Sequence, residues 1–107
     1  LEEDRIGYTI KRLLTEPLSP QTENVGFYLT IIPKSGRVKC HFHPLALEVI
    51  IFLTKGTIKS NEETYHFLPG DLAVISPREK HEIIADRDAV NLLALRFPNF
   101  PDDKVIC

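Results

Sequence analysis

The chain has 107 residues and a formal net charge of −2, with 13 Lys and Arg nearly balanced by 15 Asp and Glu. That length supports one domain with its own core and is too short for two, so residues 1–107 are read as a single unit. A sequence pI near 6.1 gives no basic face for nucleic acid, and no apolar run approaches the roughly 20 residues that span a bilayer.

A hydrophobic content of 43% beside 26% charged residues is that of a globular chain. The first residues lack a charged-then-apolar leader pattern, so the cytoplasm is the expected compartment. Leu1 opens a chain without methionine, and the natural start is expected upstream of it. Two cysteines, Cys40 and Cys107, are too few and too far apart to suggest a disulfide scaffold.

In chain order, an acidic trio at Glu2, Glu3 and Asp4 precedes Ile6, Tyr8, Ile10 and Leu13, whose alternation predicts a strand. Residues 16–24, with Pro17, Pro20 and Asn24, read as a loop. Residues 25–32 are aromatic and β-branched, and the turn at Pro33 to Gly36 ends them as a strand.

A strand over 37–43 follows. Its period of two puts Arg37, Lys39, His41 and His43 on one face and Val38, Cys40 and Phe42 on the other. Two imidazoles about 7 Å apart along the strand can converge on one ion. An inward lysine is unfavourable unless it meets an anion, so Lys39, with Arg37 beside it, is a candidate for a substrate carboxylate or phosphate. The alternative is a bulge or strand end that carries its ammonium to water. Cys40, on the opposite face, is read as a packed thiol.

Residues 47–53 are apolar except for Glu48, which shares a face with Ile50 and Phe52. Burying a bare carboxylate there costs several kcal/mol, and a cation removes that penalty. Lys55 and Gly56 turn the chain into a hairpin, 57–60 and 64–67, around a polar tip at Asn61 to Glu63. His66 is read as a surface or half-buried residue. Strands are predicted at 71–75, 80–85 and 89–97. The one that begins at the Gly70-Asp71 turn and ends near Pro77 can aim His81 at the same point as the first two histidines. Arg96 interrupts an apolar run and either lines the interior or faces out. Residues 98–107 read as loose coil, and no helix is predicted. Eight or nine short strands indicate an all-β barrel or double-sheet jelly roll, with an interior that has room for a small ligand.

His41, His43, Glu48 and His81 thus form a candidate set of three neutral imidazoles and one carboxylate. It suits one divalent transition metal per chain (Fe, Mn, Ni, Cu or Zn), and a six-coordinate ion would keep two positions for water, O2 or substrate.

The two segments that carry these residues resemble the signature motifs of the cupin superfamily, small β-barrels of the double-stranded β-helix type. Gly36, His41, His43, Glu48 and Gly56 match the first motif, and Gly70, Asp71, Pro77 and His81 the second. The resemblance is close over 36–81 and loose beyond, and it implies that the four candidate ligands are the metal ligands of that family. Four residues rather than the usual five separate Gly36 from His41, and seven rather than six separate Glu48 from Gly56. Ser76 stands where proline is usual, Arg78 where glycine is usual, and Ala85 where asparagine often follows. The ligand spacing survives these departures, and the loop carrying His81 is expected to differ in shape, with Arg78 narrowing or charging the mouth of the site. The resemblance also implies a homodimer, because the N-terminal strand of small cupins often crosses to a second subunit.

The resemblance further implies a small-molecule substrate bound at the metal. A redox metal would give dioxygenase-type chemistry, whereas Zn, Ni or Mn would act as a Lewis acid in isomerisation of a sugar or keto acid. Tyr28 and Glu79 are candidates to shuttle a proton in that second version. Tyr28 and Phe52, with Lys39 and Arg37, are the candidate substrate contacts. An apolar lining from Ile50, Phe52 and Val74 favours the oxygenase reading slightly. A non-catalytic sensor of a small molecule or metal is the alternative from another class.

Overall fold

The computed structural model describes residues 2–5, 8–14 and 24–107, with side chains at 8–10 and 24–107. Eleven strands follow one another among them: β1 (Glu2–Arg5), β2 (Tyr8–Leu14), β3 (Gly26–Ile32), β4 (Arg37–Phe42), β5 (Leu47–Phe52), β6 (Gly56–Ser60), β7 (Glu63–Phe67), β8 (Leu72–Ile75), β9 (His81–Ile84), β10 (Val90–Phe97) and β11 (Val105–Ile106). One sheet has the order β1-β2-β3-β10-β5-β8 and the other β11-β4-β9-β6-β7, with all pairings antiparallel. This is the expected all-β double-stranded β-helix, built as two facing sheets.

The alternation that predicted the strands also makes the core. In β3 every second residue from Gly26 is buried, and β5 and β10 alternate the same way. Their inward side chains, Ile32, Ile50, Phe52 and Leu92, meet Val38, Ile58 and Ile83 from the opposing sheet in one cluster. Phe52 is fully buried and stacks on Phe67 with ring centroids 4.6 Å apart. Gly56 lies so close to the Phe52 ring that a Cβ there would collide with it.

Three sequence expectations need correction. First, the acidic residues Glu2 to Asp4 belong to β1, which pairs with β2; Ile6 and residues 16–23 lie outside the described residues.

Second, β4 does not keep a period of two. Val38 pairs with Ile83 and His41 with His81, so β4 holds one residue more than β9 over this stretch. That bulge lets Val38 and His41 both point inward and turns Lys39 and Arg37 out to solvent. Lys39 therefore faces water rather than an anion inside the barrel.

Third, the tail is not loose coil. β11 pairs with β4, and Cys107 forms a disulfide with Cys40, 67 residues away in sequence, at a Cα separation of 5.4 Å. Cys40 is thus no packed thiol: the bulge aims it at the strand that lies alongside.

The β6–β7 hairpin turns on Asn61 (φ 50°) and Glu62 (φ 68°), two left-handed residues as a type I′ turn requires. Asn accepts that region readily and Glu does not. Glu62→Gly is therefore expected to raise stability by about 0.5–1 kcal/mol, read as a higher urea midpoint at unchanged slope.

Candidate metal centre

β4, β5 and β9 are the strands that build the site. His41 and His81 are cross-strand partners on β4 and β9. His43 follows the end of β4, and Glu48 projects inward from β5. All four side chains are buried, between 1% and 3% exposed. One ligand atom from each lies within 4.8 Å of every other, and the imidazole centroids are 4.3–5.9 Å apart.

Backbone carbonyls fix the ring orientations. His41 Nδ1 donates to Lys39 O at 2.8 Å and His81 Nδ1 to Glu79 O at 3.0 Å. His43 Nδ1 donates to Asp103 O, 60 residues away in sequence. In this tautomer each Nε2 carries a lone pair and no proton. The Nε2 atoms of His43 and His81 are buried without a hydrogen-bond partner, yet they lie 3.8 Å and 3.1 Å from the Glu48 carboxylate. The shorter of these approaches sets a lone pair against an anion, so it is not a hydrogen bond while His81 is neutral. A cation between them relieves the repulsion.

The donor set fits such an ion. Metal–nitrogen and metal–oxygen bonds of 2.0–2.2 Å limit two ligand atoms of one ion to about 4.4 Å. A contraction of roughly half an ångström from the present spread meets that limit. Ring orientation by second hydrogen bonds to carbonyls is the usual support for histidine ligands.

Arg96 is the charged neighbour. It sits opposite Glu48 in the β10–β5 register, its Nε donates to Glu48 Oε2 at 2.8 Å, and its guanidinium lies over the Tyr28 ring, 4.8 Å from the centroid. Burial pushes the Glu48 pKa up, but His81 and His43 wherever they carry a second proton, together with the Arg96 guanidinium, outweigh it and hold the carboxyl below its usual range. Burial, followed by the nearby His81, lowers His41 to about 3, and burial also lowers His43.

The space beside the site is small. A cavity of about 20 Å³, lined by Tyr8, Ile10, Thr30, His41, Arg96 and Lys104 among others, opens next to His41 and Glu48. That holds one water molecule, not an organic ligand, so the expected room for a small molecule is absent from this conformation.

Of the candidate substrate residues, Lys39 and Arg37 face solvent. Phe52 is packed in the core, and Tyr28 is buried under Arg96 with its hydroxyl donating to Asn99 Oδ1 at 2.8 Å. Neither lines the cavity. Val74 points outward and only Ile50 of the expected apolar lining reaches the space. The Glu79 carboxylate is engaged by Ser60 Oγ (3.1 Å) and the Ser76 N–H (3.0 Å). Glu79 thus holds the His81 loop and is no free proton carrier. Arg78 is exposed, with φ 68°, so its backbone keeps the left-handed shape of the glycine it replaces.

The tail supplies what sequence reading missed. Asp103 accepts the N–H groups of Leu45 and Ala46 through its two carboxylate oxygens, at 2.9 and 2.8 Å. It therefore grips the loop between His43 and Glu48 while its carbonyl orients His43. Lys104 reaches the cavity and donates to Tyr8 Oη at 3.1 Å. Nothing in the pattern of residues 98–107 signals this.

No protein-family model matches the sequence, and no curated protein does. Solved structures do match the fold. KdgF from a Halomonas species superposes with a TM-score of 0.77 at 15% identity, over 90% of this chain and 83% of that one. A cupin-like protein of Thermotoga maritima gives 0.79 at 17% identity, over 94% and 75%. The DMSP lyase DddQ of Ruegeria pomeroyi gives 0.78 at 17% identity, over 92% of this chain and 51% of that longer one. The chain has the fold of the small cupin-type domains.

Two outcomes test the site's physics. An unfolded histidine takes up a proton near 6.5, whereas folded His41 refuses one until about 3. The metal-free protein should therefore lose stability steadily as pH falls through that window and gain nothing from His41 above it. Urea midpoints at pH 7, 5.5 and 4.5 measure this, and a flat series contradicts it. Cys107→Ser should lower stability by about 4 kcal/mol, from the size of the loop that the disulfide closes. By releasing Asp103, it should also weaken metal binding about 10–100-fold in titration calorimetry.

Proposed function

We propose that this chain binds one divalent transition metal on His41, His43, Glu48 and His81 and acts there as an enzyme on a small anionic organic molecule. The observation that carries the reading is the pair of buried, unpartnered Nε2 atoms set against an ionised carboxylate. A bound cation would remove the cost of that arrangement, which Arg96 offsets only from the Oε2 side.

A bound divalent ion supplies Lewis acidity and exchangeable coordination positions. The chain's own residues supply charge and protons beside it. Arg96 and Lys104 place two cations at the cavity, which favours a carboxylate-bearing ligand. Because Tyr8 Oη accepts its hydrogen bond from Lys104, its own proton is free to be donated to a ligand. Bulk water is kept out by the tight cavity, so a ligand must displace a wall to reach the ion.

An acid group held next to the metal supports polar, proton-transfer chemistry over oxygen insertion. Similarity of fold to a DMSP lyase is in keeping with it. The dioxygenase reading rests on the apolar remainder of the wall, Ile50, Ile83 and Leu92, and is the second choice.

Protein purified without chelator should contain close to one metal equivalent per chain, and His41→Ala with His43→Ala should abolish it; full metal retention in that double variant refutes the site. With the loaded protein, small carboxylates should be consumed without oxygen uptake, and Tyr8→Phe should cut kcat by about 100-fold or more. Stoichiometric oxygen consumption would decide for the dioxygenase.

A further inference from the structure

Residues 98–107 carry both a cavity wall and a latch. Lys104 lines the space beside His41 and Glu48. Asp103 orients His43 through its carbonyl while its carboxylate holds the Leu45 and Ala46 N–H groups. A few residues on, Cys107 is bonded to Cys40, the neighbour of His41.

Little besides that bond keeps the segment down. Within it only Asp103 is buried, so docking it removes little apolar area from water. β11 is two residues long, and its side chains are exposed, Val105 at 42% and Ile106 at 59%. A pairing so short, with no apolar burial behind it, opens at small cost. Asn99 is pinned separately, by the Tyr28 hydroxyl and by its own N–H to Asn24 O. The near end therefore stays in place, while the stretch beyond it depends on the disulfide.

The disulfide can be reached from solvent. Cys107 is exposed, and Cys40 is half-buried in the wall of a surface hollow of about 620 Å³. Exposed disulfides are the labile ones.

We propose that residues 100–107 form a disulfide-latched lid on the metal cavity, closed while Cys40 and Cys107 are bonded and opened by a dithiol reductant. Its role rests on the reading that a cation and a ligand enter that cavity, and it names what admits them. A thiolate of the reductant attacks Cys107 Sγ, the S–S bond breaks, and Cys40 leaves as a thiolate that takes a proton. The reductant's second thiol then displaces Cys107 and closes the reductant's own disulfide, so two electrons and two protons pass to the protein. Without the bond, Asp103 and Lys104 lift away together. A cavity of about 20 Å³ gains a path to solvent, and His43 loses the carbonyl that orients it.

Reaction of the metal-free protein with diethyl pyrocarbonate reads the lid without any ligand. The chain has four histidines, of which His66 is exposed and the other three are buried. Peptide mass spectrometry of the oxidised protein should find His66 modified fast and His41, His43 and His81 slowly. Reduction, and likewise Cys40→Ser with Cys107→Ser, should speed modification of His41 or His43 relative to His66 by at least about 10-fold, as a local opening does. Amide exchange at Leu45 and Ala46 should accelerate in the same samples, while the amides of β5 and β10 stay protected and the circular dichroism is unchanged. Equal histidine rates in the oxidised and reduced forms overturn the proposal. So does loss of core protection on reduction, which would make the bond a brace for the whole fold. In Zn(II)-loaded protein, release to a chelator should be at least about 10-fold faster after reduction, and equal release rates also overturn the lid. A protein that takes up no Zn(II) yet shows the histidine and amide responses keeps the lid and refutes the metal reading.

Discussion

Three imidazoles whose Nδ1 atoms are committed to backbone carbonyls offer, while neutral, lone pairs at Nε2, and here those lone pairs converge with a carboxylate in a space shielded from water. Four acceptors at such distances repel one another and have lost their hydration. Arg96 answers part of the charge, from the Glu48 Oε2 side alone. The strand pairings, the held loop and the anchored tail make sense as a frame that keeps an otherwise unfavourable constellation in place until a cation completes it. Buried ionic groups of this kind weaken a core when left incomplete, so they belong to function rather than to folding.

That frame is assembled in layers. The inward rows of both sheets close the hydrophobic core at one side of the site. Around the ligands stands a ring of orienting groups, Lys39 O, Glu79 O and Asp103 O, each fixed by its own attachment. Lys39 sits on the bulge, Glu79 is held by Ser60 and Ser76, and Asp103 is held between Leu45, Ala46 and the disulfide-bound strand. Ligand geometry is therefore inherited from backbone positions, which move less than side chains do.

Much of this could be read before any coordinates. Aliphatic alternation placed most of the strands from β3 to β10, since inward and outward residues differ in kind along them. Glu48 betrayed the site because it stands alone among aliphatics, and the spacing of His41, His43 and His81 completed the set. What could not be read is instructive. A one-residue bulge reverses the facing of Lys39 without changing a letter of the sequence. The grip of Asp103 on His43 joins residues 60 apart and uses a backbone carbonyl, to which side-chain identity gives no clue. Cys40 and Cys107 meet only because β11 lies down on β4, a pairing two residues long that no periodicity announces. The volume of the interior depends on how the chain ends are seated, a tertiary property throughout.

The cavity wall has two origins. The ion-holding residues ride on the middle of the barrel, while Tyr8 and Ile10 come from an early strand and Lys104 from the last few residues. The shape of the chamber is thus set in part by stretches of polypeptide that carry none of the four ligands. Replacements at Tyr8, Ile10 or Lys104 can re-tailor the chamber as long as Asp103 and the disulfide keep His43 in place, and so one scaffold of this size can be diverted to new small molecules at a few positions.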